Sequence, residues 1–192
     1  MELYFHLEDK QVLVGLSNGI HSFYSNLYGE EDRPILIICI GTDRSTGDCL
    51  GPLTGTFLTE MPGKRFQVMG SLDEPVHATN LARIKKSLQE TSPLPFIVAV
   101  DAGLGKKQNV GKVTIKKGPL YPGSGVNKDL PPVGDMHLTG LVNVGGYMEY
   151  FVLQSTRLNL VFKMSRLLAK ALYQSTNRFL HEVQPLSCSR MV

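Results

Sequence analysis

The sequence predicts an α/β protein, a three-layer α/β/α sandwich built around a mostly parallel β-sheet. Two short runs of apolar residues, at 34–40 and 96–100, are typical of strands that are buried on both faces. Segments with apolar residues at helical spacing separate and flank these runs, so strands and helices alternate along the chain. Such alternation indicates parallel strands joined by right-handed helical crossovers.

The first half of the chain is predicted to contain a helix followed by two strand-helix units. The helix is expected at about residues 10–28, where apolar side chains recur every three or four positions. The strand at 34–40 leads through a polar, glycine-rich loop into a helix at 51–61. A short strand at 66–69 and a helix at about 76–90 form the second unit.

The second half is predicted to contain two more strands, a long loop and two helices. The strand at 96–100 precedes an edge strand at 112–117, in which apolar and polar residues alternate. Residues 118–135 fit neither pattern and are expected to form a loop, and loops of this length in compact domains are often functional. Helices at 138–156 and 157–180 are expected to complete the fold.

The composition indicates one soluble domain over residues 1–192, with its core at about 34–180 and a short C-terminal tail. Apolar residues make up 42%, charged residues 19%, and the formal net charge of +3 is too small to indicate a nucleic-acid partner. No apolar run approaches the roughly 18 residues of a membrane span, and the N-terminus does not resemble a signal peptide. Three widely spaced cysteines predict neither a disulfide framework nor a four-ligand zinc site, so a reducing cytoplasm is expected.

Two aspartates are the leading candidates for a functional site. Asp48 lies in the loop after the first apolar strand, and Asp101 directly follows the second. Parallel sheets bind ligands beyond the C-terminal ends of their strands, so these carboxylates are expected to lie close together. The alternative is that Asp48 only caps the next helix and Asp101 only begins a turn. Asp43 is expected to be solvated or paired with Arg44.

A histidine is the third candidate. His137 lies in a glycine-flanked polar segment at the exit of the long loop, next to the expected helix start. His77 competes with it, but its position before a helical pattern favours a packing role. Together with the two aspartates, His137 is compatible with two chemistries, both suited to hydrolysis. The three residues hold a divalent metal ion such as Ni, Zn or Mn, or the carboxylates share a proton, one activating water and the other protonating the leaving group.

Other interpretations stay open. Cys49 at the start of a helix is a candidate nucleophile, although its acidic neighbour opposes a thiolate and the side chain fits the core equally well. Gly123-Ser124-Gly125 offers backbone amides for an anion, which would suit hydrolysis of a small amide or phosphate. A catalytically silent binding or assembly protein that uses the cleft or the long loop is a third alternative.

Three motifs occur in this order along the chain: IGTDRSTGDCLGP at 40–52, VAVDAGLG at 98–105 and GDMHLTGLVNVGGYMEYFVLQSTRLNLVFKMS at 134–165. Their combination closely resembles the YyaC family of sporulation proteins from endospore-forming bacteria, over nearly all of the chain beyond about residue 30. That family is similar in fold to the hydrogenase maturation endopeptidases and the spore germination protease. The resemblance implies a phosphorylase/hydrolase-like α/β/α sandwich.

The resemblance also implies roles for the three candidates. Asp48 stands where the hydrogenase maturation endopeptidases carry an acidic residue, usually Glu, before a glycine. Asp101 matches their Asp-Ala pair, and His137 matches a histidine that is followed three residues later by Gly-Leu. Those residues bind nickel in that family before a C-terminal tail is cut. The germination protease is thought to use the two equivalent aspartates without such a metal, which implies Asp48 and Asp101 as an acid/base pair.

The sequence therefore predicts a sporulation-associated, peptidase-like hydrolase in the cytoplasm of the mother cell or forespore. Asp48, Asp101 and His137 are its expected catalytic residues and its expected ligands for one divalent metal ion. The expected partner is a protein or peptide substrate, with no nucleic acid and no membrane. The oligomeric state stays open, a homodimer being one alternative.

Overall fold

The computed structural model describes residues 2–29, 32–123 and 130–184. Within this part of the chain, six strands form one sheet in the order β1-β5-β6-β4-β2-β3. The strands are β1 (Glu2–His6), β2 (Ile35–Cys39), β3 (Gln67–Met69), β4 (Phe96–Gly105), β5 (Lys112–Lys117) and β6 (Met136–Val144). The pairs formed among β2, β3, β4 and β6 are parallel, whereas β5 is antiparallel to both of its neighbours. The expected mostly parallel sheet is confirmed.

Helices cover both faces of this sheet. They are α1 (Val12–Leu27), α2 (Leu50–Glu60), α3 (Leu81–Gln89), α4 (Glu149–Gln154) and α5 (Leu158–Val183). Buried residues of α1, α2 and α5 pack in one core with Ile37 and Val98 of the sheet. Leu81 of α3 packs on the other face with Ile38 and Ala99. The α/β/α arrangement is therefore confirmed, with α3 as the main helix of the second outer layer.

The central strand β2 shows why its sequence is continuously apolar. All five of its residues are buried. Alternate side chains of a strand point to opposite faces of the sheet. Ile35, Ile37 and Cys39 enter the core beneath α1, α2 and α5, whereas Leu36 and Ile38 enter the core beneath α3.

The expected helix at 138–156 is wrong for most of its length. Residues up to Val144 belong to β6, and only the short α4 follows. Leu138 and Val142 are four residues apart, which fits a helix, but in a strand they share one face with Met136, and all three are buried in the core. Hydrogen bonding to β4 on one side and to β5 on the other stabilises the extended form, and glycine at position 140 weakens a helix there.

The strand at 112–117 is present, but it is not an edge strand. It lies between β6 and β1, and β1 is the edge strand on that side of the described sheet. The alternation of polar and apolar residues reflects two different faces: Val113 and Ile115 are in the core, and Lys116 is partly exposed. Within the expected loop at 118–135, a β-bridge joins Leu120 to Val133.

None of the helices in the described ranges is both long and apolar enough to cross a membrane. Ser124 and Gly125, which belong to the Gly-Ser-Gly segment considered as an anion site, lie outside the described residues. The third cysteine, Cys188, also lies outside them.

Glycine is required at two close contacts, one between α2 and the segment after β3 and one between that segment and the end of β2. A Cβ added to Gly55 would lie 1.8 Å from the carbonyl oxygen of Gly70. Gly70 has a φ of +91°, and a Cβ there would lie 1.9 Å from the carbonyl oxygen of Cys39. The backbone of α2 therefore rests against the backbone at the ends of β2 and β3.

We expect Gly55→Ala to lower the free energy of unfolding by about 1–3 kcal/mol, because the added methyl forces backbone apart in a packed region. Alanine is the better helix former by about 1 kcal/mol, so the sign of the change tests the contact. Urea unfolding would measure it. Thr59→Ala, on the exposed side of α2, is the control and should change stability by less than about 0.5 kcal/mol. Equal stability of Gly55→Ala and the parent protein would contradict this close approach.

Candidate functional site

The two candidate carboxylates meet at the C-terminal edge of the central strands. Asp48 is in the loop that joins β2 to α2, and Asp101 lies within β4, because that strand continues past its expected end to Gly105. The strands are in register here, with the amide of Ile40 donating to the carbonyl of Val100 at 2.7 Å. The charge of Asp48 acts on the carboxyl of Asp101. The two aspartates therefore lie at the same edge of the sheet, and their catalytic roles stay a prediction.

Two glycines determine the path of the loop that carries Asp48. Gly41 has a φ of +143°, and a Cβ there would lie 2.0 Å from the carbonyl oxygen of Asp48. A Cβ on Gly51 would lie 2.0 Å from the carbonyl oxygen of Ile40. The loop therefore leaves β2 and returns to it through backbone contacts that only glycine permits. This return places Asp48 beside the strand ends.

Helix α4 supports the loop from the other side. The amide of Gly47 donates to the carbonyl of Leu153 at 2.8 Å, and a Cβ on Gly47 would lie 2.8 Å from the Leu153 side chain. Gly47 has no positive φ, so close packing, and not a sharp turn, explains this glycine. Asn143 at the end of β6 donates to the carbonyl of Val152 at 3.2 Å and to Thr156 Oγ1 at 3.1 Å.

The two carboxyl groups have unequal surroundings. Asp101 is 8% exposed, whereas Asp48 is partly exposed. Burial raises the pKa of Asp101 well above its ordinary value, and the charge of Asp48 raises it further. The amide of Ala102 donates to Asp101 Oδ1 at 2.8 Å, which lowers this pKa by a smaller amount. Asp101 therefore retains its proton to a higher pH than an ordinary exposed aspartate does.

His137 lies on the same face of the sheet as Asp101 but one pleat away from it. In the register of β4 and β6, His137 is paired with Ala99 and Asp101 with Thr139. At about 3.3 Å per residue and about 4.8 Å between strands, the Cα atoms of His137 and Asp101 are about 8 Å apart. His137 Nδ1 lies 2.9 Å from the carbonyl oxygen of Gly118, on the side away from Asp101. Because a carbonyl only accepts, Nδ1 carries the proton.

The electrostatic surroundings of His137 also differ from those of the aspartates. Burial has the largest effect on the pKa of His137 and lowers it, whereas the hydrogen bond to Gly118 raises it. The charges acting on it are those of Lys116 and Glu2, which form an ion pair at 2.7 Å. A catalytic role for His137 stays a prediction.

The described residues do not fit the expected metal centre. Among them, no group of three or more His, Cys, Asp or Glu side chains is placed to hold a metal ion. Asp48 and Asp101 interact with each other, but the hydrogen bond of His137 directs its ring towards Gly118. Metal binding by Asp48, Asp101 and His137 stays a prediction.

Sequence reasoning missed a row of hydroxyl groups that lies level with Asp101. Thr139, Thr114 and Tyr4 are paired in succession across β6, β5 and β1, and Thr139 is paired with Asp101. Paired residues share a face of the sheet, so the row leads from the sheet edge to Asp101. The period-two alternation in ELYFH, with Leu3 and Phe5 facing the core, was the signal that would have revealed β1.

Ser45 is a second residue that the sequence did not single out. Its side chain is 8% exposed, and its Oγ has no hydrogen-bond partner in the described structure. Its carbonyl accepts from the amide of Cys49 at 3.0 Å, across the turn that contains Asp48. A buried hydroxyl without a partner is uncommon in native proteins and ordinarily meets water or a ligand.

The cysteine alternative is disfavoured by the structure. Cys49 is buried, and burial raises the pKa of its thiol. The charges of Asp43 and Asp48 raise that pKa further, so the thiolate required for nucleophilic attack is suppressed.

Comparisons with known proteins identify related chains. A family model described as "Protein of unknown function (DUF1256)" matches residues 4–171. "Uncharacterized protein YyaC" of Bacillus subtilis (strain 168) is 53% identical over 148 residues, which cover 77% of this chain and 72% of that protein. This match confirms the resemblance to YyaC. Among solved structures, the NiFe hydrogenase maturation protease HycI from Thermococcus kodakarensis KOD1 is similar, with a TM-score of 0.48 and 16% identity over 83% of this chain and 99% of that one.

We expect Asp101→Asn to stabilise the protein at neutral pH. The raised pKa means that the folded state binds this proton more tightly than the unfolded state, whose aspartate has a pKa of about 3.9. Stability is therefore lost as the pH rises from that value through the folded pKa. Removing the charge should add about 0.5–2 kcal/mol at pH 7.5 and little at pH 4.

Thermal unfolding at both pH values would measure this difference. Asp43→Asn is the matched control, since Asp43 is an exposed carboxylate of the same loop and should have no comparable effect. A loss of stability in Asp101→Asn of equal size at pH 4 and pH 7.5 would contradict a buried, protonatable carboxyl.

We expect Cys39 and Cys49 to react slowly with iodoacetamide at pH 7.5 in the folded protein and rapidly in urea. Each unit by which a thiol pKa rises lowers its thiolate fraction about tenfold, and burial raises the pKa of both thiols. Peptide mapping by mass spectrometry would follow each cysteine separately. Rapid labelling of Cys49 in the folded state would restore it as a nucleophile.

Proposed function

The chain belongs to the DUF1256 family, and on that premise we propose that it is a peptidase-like hydrolase in which Asp48 and Asp101 act as a carboxylate pair. The observation that carries this proposal is the inequality of the two groups. Asp101 is buried beside the charge of Asp48, and both effects raise its pKa. Pairs of carboxyl groups whose environments separate their pKa values supply an acid and a base at the same pH.

The proposed reaction uses these two groups in sequence. The carboxylate of Asp48 accepts a proton from a water molecule, whose oxygen attacks the carbonyl carbon of the substrate amide. The carboxyl of Asp101 donates its proton to the leaving nitrogen as the carbon–nitrogen bond breaks. The products are a carboxylic acid and an amine, and transfer of one proton from Asp48 to Asp101 restores the starting state.

Thr139 and Tyr4 would contribute to the floor on which an extended substrate lies, whereas Thr114 between them is only 5% exposed. These side chains lie level with Asp101 on the same face, and their hydroxyl groups both donate and accept hydrogen bonds. Two residues beyond Asp101, Gly103 has no side chain, and a Cβ there would lie 2.6 Å from Thr139 Cγ2. This supports a polypeptide substrate, whose backbone offers both donors and acceptors.

The association with sporulation, in the cytoplasm of the mother cell or forespore, rests on the resemblance to the YyaC family. The resemblance to the germination protease supports polypeptides of the spore, such as small acid-soluble spore proteins, as the first substrates to test.

A second candidate function is polypeptide binding without cleavage. An aromatic surface supports it: Tyr147 is 83% exposed, and Tyr150 and Phe151 are also exposed. These residues lie in and before α4, which contacts the loop of Asp48 through Leu153. Exposed apolar clusters of this kind often mark protein interaction sites.

Incubation of the purified full-length protein with small acid-soluble spore proteins and a peptide library would test hydrolysis, with products identified by mass spectrometry. We expect Asp48→Asn and Asp101→Asn each to slow cleavage by about 10²- to 10⁴-fold, and Asp43→Asn to leave it unchanged. The rate should fall as the pH rises through the raised pKa of Asp101, because the general acid must be protonated.

The outcomes separate the two functions. Cleavage that survives both substitutions would remove the carboxylate pair from the mechanism. A stable complex without products, lost in Tyr150→Ser and Phe151→Ser but retained in Asp48→Asn and Asp101→Asn, would favour the binding function.

A further inference from the structure

A cavity of about 340 Å³ lies at the opposite end of the central strands from the carboxylate pair. It is bounded by the C-terminal half of α3, by the residues at the start of β4 and by the segment before β6. Ile97 lines it, and Asp101 lies four positions further along β4, which is about 13 Å along the strand. The cavity is therefore separate from the proposed catalytic site.

The walls of the cavity are largely apolar. Leu88 from α3, Ile97 from β4 and Val133 from the segment before β6 line it, together with Leu94 and three prolines. Its volume is at the small end of the range of about 300–1,000 Å³ that is typical of small-molecule sites. One branched side chain with its backbone atoms is a suitable occupant for such a space.

The cations that line the cavity are oriented by the protein itself. Arg33 donates from Nε to the carbonyl of Leu94 at 3.0 Å and from Nη2 to the carbonyl of Pro95 at 2.8 Å. The guanidinium also lies over the ring of Phe96, 5.5 Å from its centroid. Lys85 donates from Nζ to the carbonyl of Pro132 at 2.7 Å. Both side chains are thus positioned before any ligand arrives.

These cations retain unused hydrogen-bond donors. Nη1 of Arg33 makes no hydrogen bond to the described residues, and an ammonium group has three donors, of which Lys85 uses one. The carboxylate in the cavity, Asp135, is engaged through Oδ2 by the amide of Ile97 at 2.7 Å and by Arg33 at 3.5 Å. Among the described lining residues, two cations and one anion leave a formal charge of +1 in an apolar setting.

We propose that this cavity binds a carboxylate carried on an apolar body the size of a leucine residue. The carboxylate would accept hydrogen bonds from Arg33 and Lys85, and the apolar body would pack against Leu88, Ile97 and Val133. Charge-assisted hydrogen bonds of this kind are stronger than neutral ones. Two sources share this chemistry, a free aliphatic acid and the C-terminal residue of a polypeptide. The proposal does not depend on the hydrolase function.

Titration of the ¹⁵N-labelled full-length protein with N-acetyl-leucine, followed by amide chemical shifts, would test it. We expect saturable shifts at Leu88, Ile97 and Gly134 and none at Asp101. N-acetyl-leucinamide, which lacks the charge, should bind at least about tenfold more weakly. Lys85→Gln should weaken binding of the acid about threefold to tenfold, whereas Lys86→Gln, an exposed neighbour on α3, should leave it unchanged.

Further ligands distinguish the source of the carboxylate. Binding of 4-methylpentanoate as tight as that of N-acetyl-leucine indicates a free acid, and tighter binding of a pentapeptide with a free C-terminal leucine indicates a polypeptide end. Either result supports the site. The proposal is overturned if the acid and the amide bind equally, if Lys85→Gln and Lys86→Gln behave alike, or if none of these carboxylates gives saturable shifts.

Discussion

The arrangement of the site depends on one steric constraint, the contact of backbone with backbone where β2 passes into α2. Gly51 lies against the carbonyl of Ile40, and Gly41 lies against the carbonyl of Asp48, at distances that leave no room for a Cβ. The loop between these glycines must therefore fold back onto the strand ends. A carboxylate in that loop is held beside the neighbouring strand, where Asp101 is located. The polar residues of the loop are thus displayed by a backbone path that is determined by its glycines.

The second feature that organises the site is the burial of a carboxyl group inside a strand. Asp101 shares its face of β4 with Ile97 and Ala99, which pack in the apolar core beneath α3. A charge there is costly, and burial together with the charge of Asp48 favours the protonated form. This carboxyl group lowers the stability of the protein at neutral pH, but its raised pKa lets it hold a proton that can be donated. Residues that weaken the fold in this way commonly serve a function.

Much of this arrangement was predictable from local patterns. The candidates Asp48 and Asp101 follow from the rule that ligands of parallel sheets bind beyond the strand ends, and the structure brings them together. His137 illustrates the limit of that rule. The sequence predicts that His137 lies next to the start of a helix, whereas it lies inside β6, level with Ala99 and hydrogen-bonded to Gly118. The position of a residue in the sequence does not reveal which residue of the neighbouring strand it is paired with.

The sequence alone determined β2, the start of β4, α1, α2 and α5, because their apolar periodicities arise within the element and need no partner to be recognised. Tertiary structure decided that residues 136–144 form a strand, because hydrogen bonds to β4 and β5 outweigh a pattern that fits a helix equally well. It also decided the register of these strands, which aligns Asp101 with Thr139 and separates it from His137. Register depends on contacts between residues distant in sequence, and local periodicity carries no record of them.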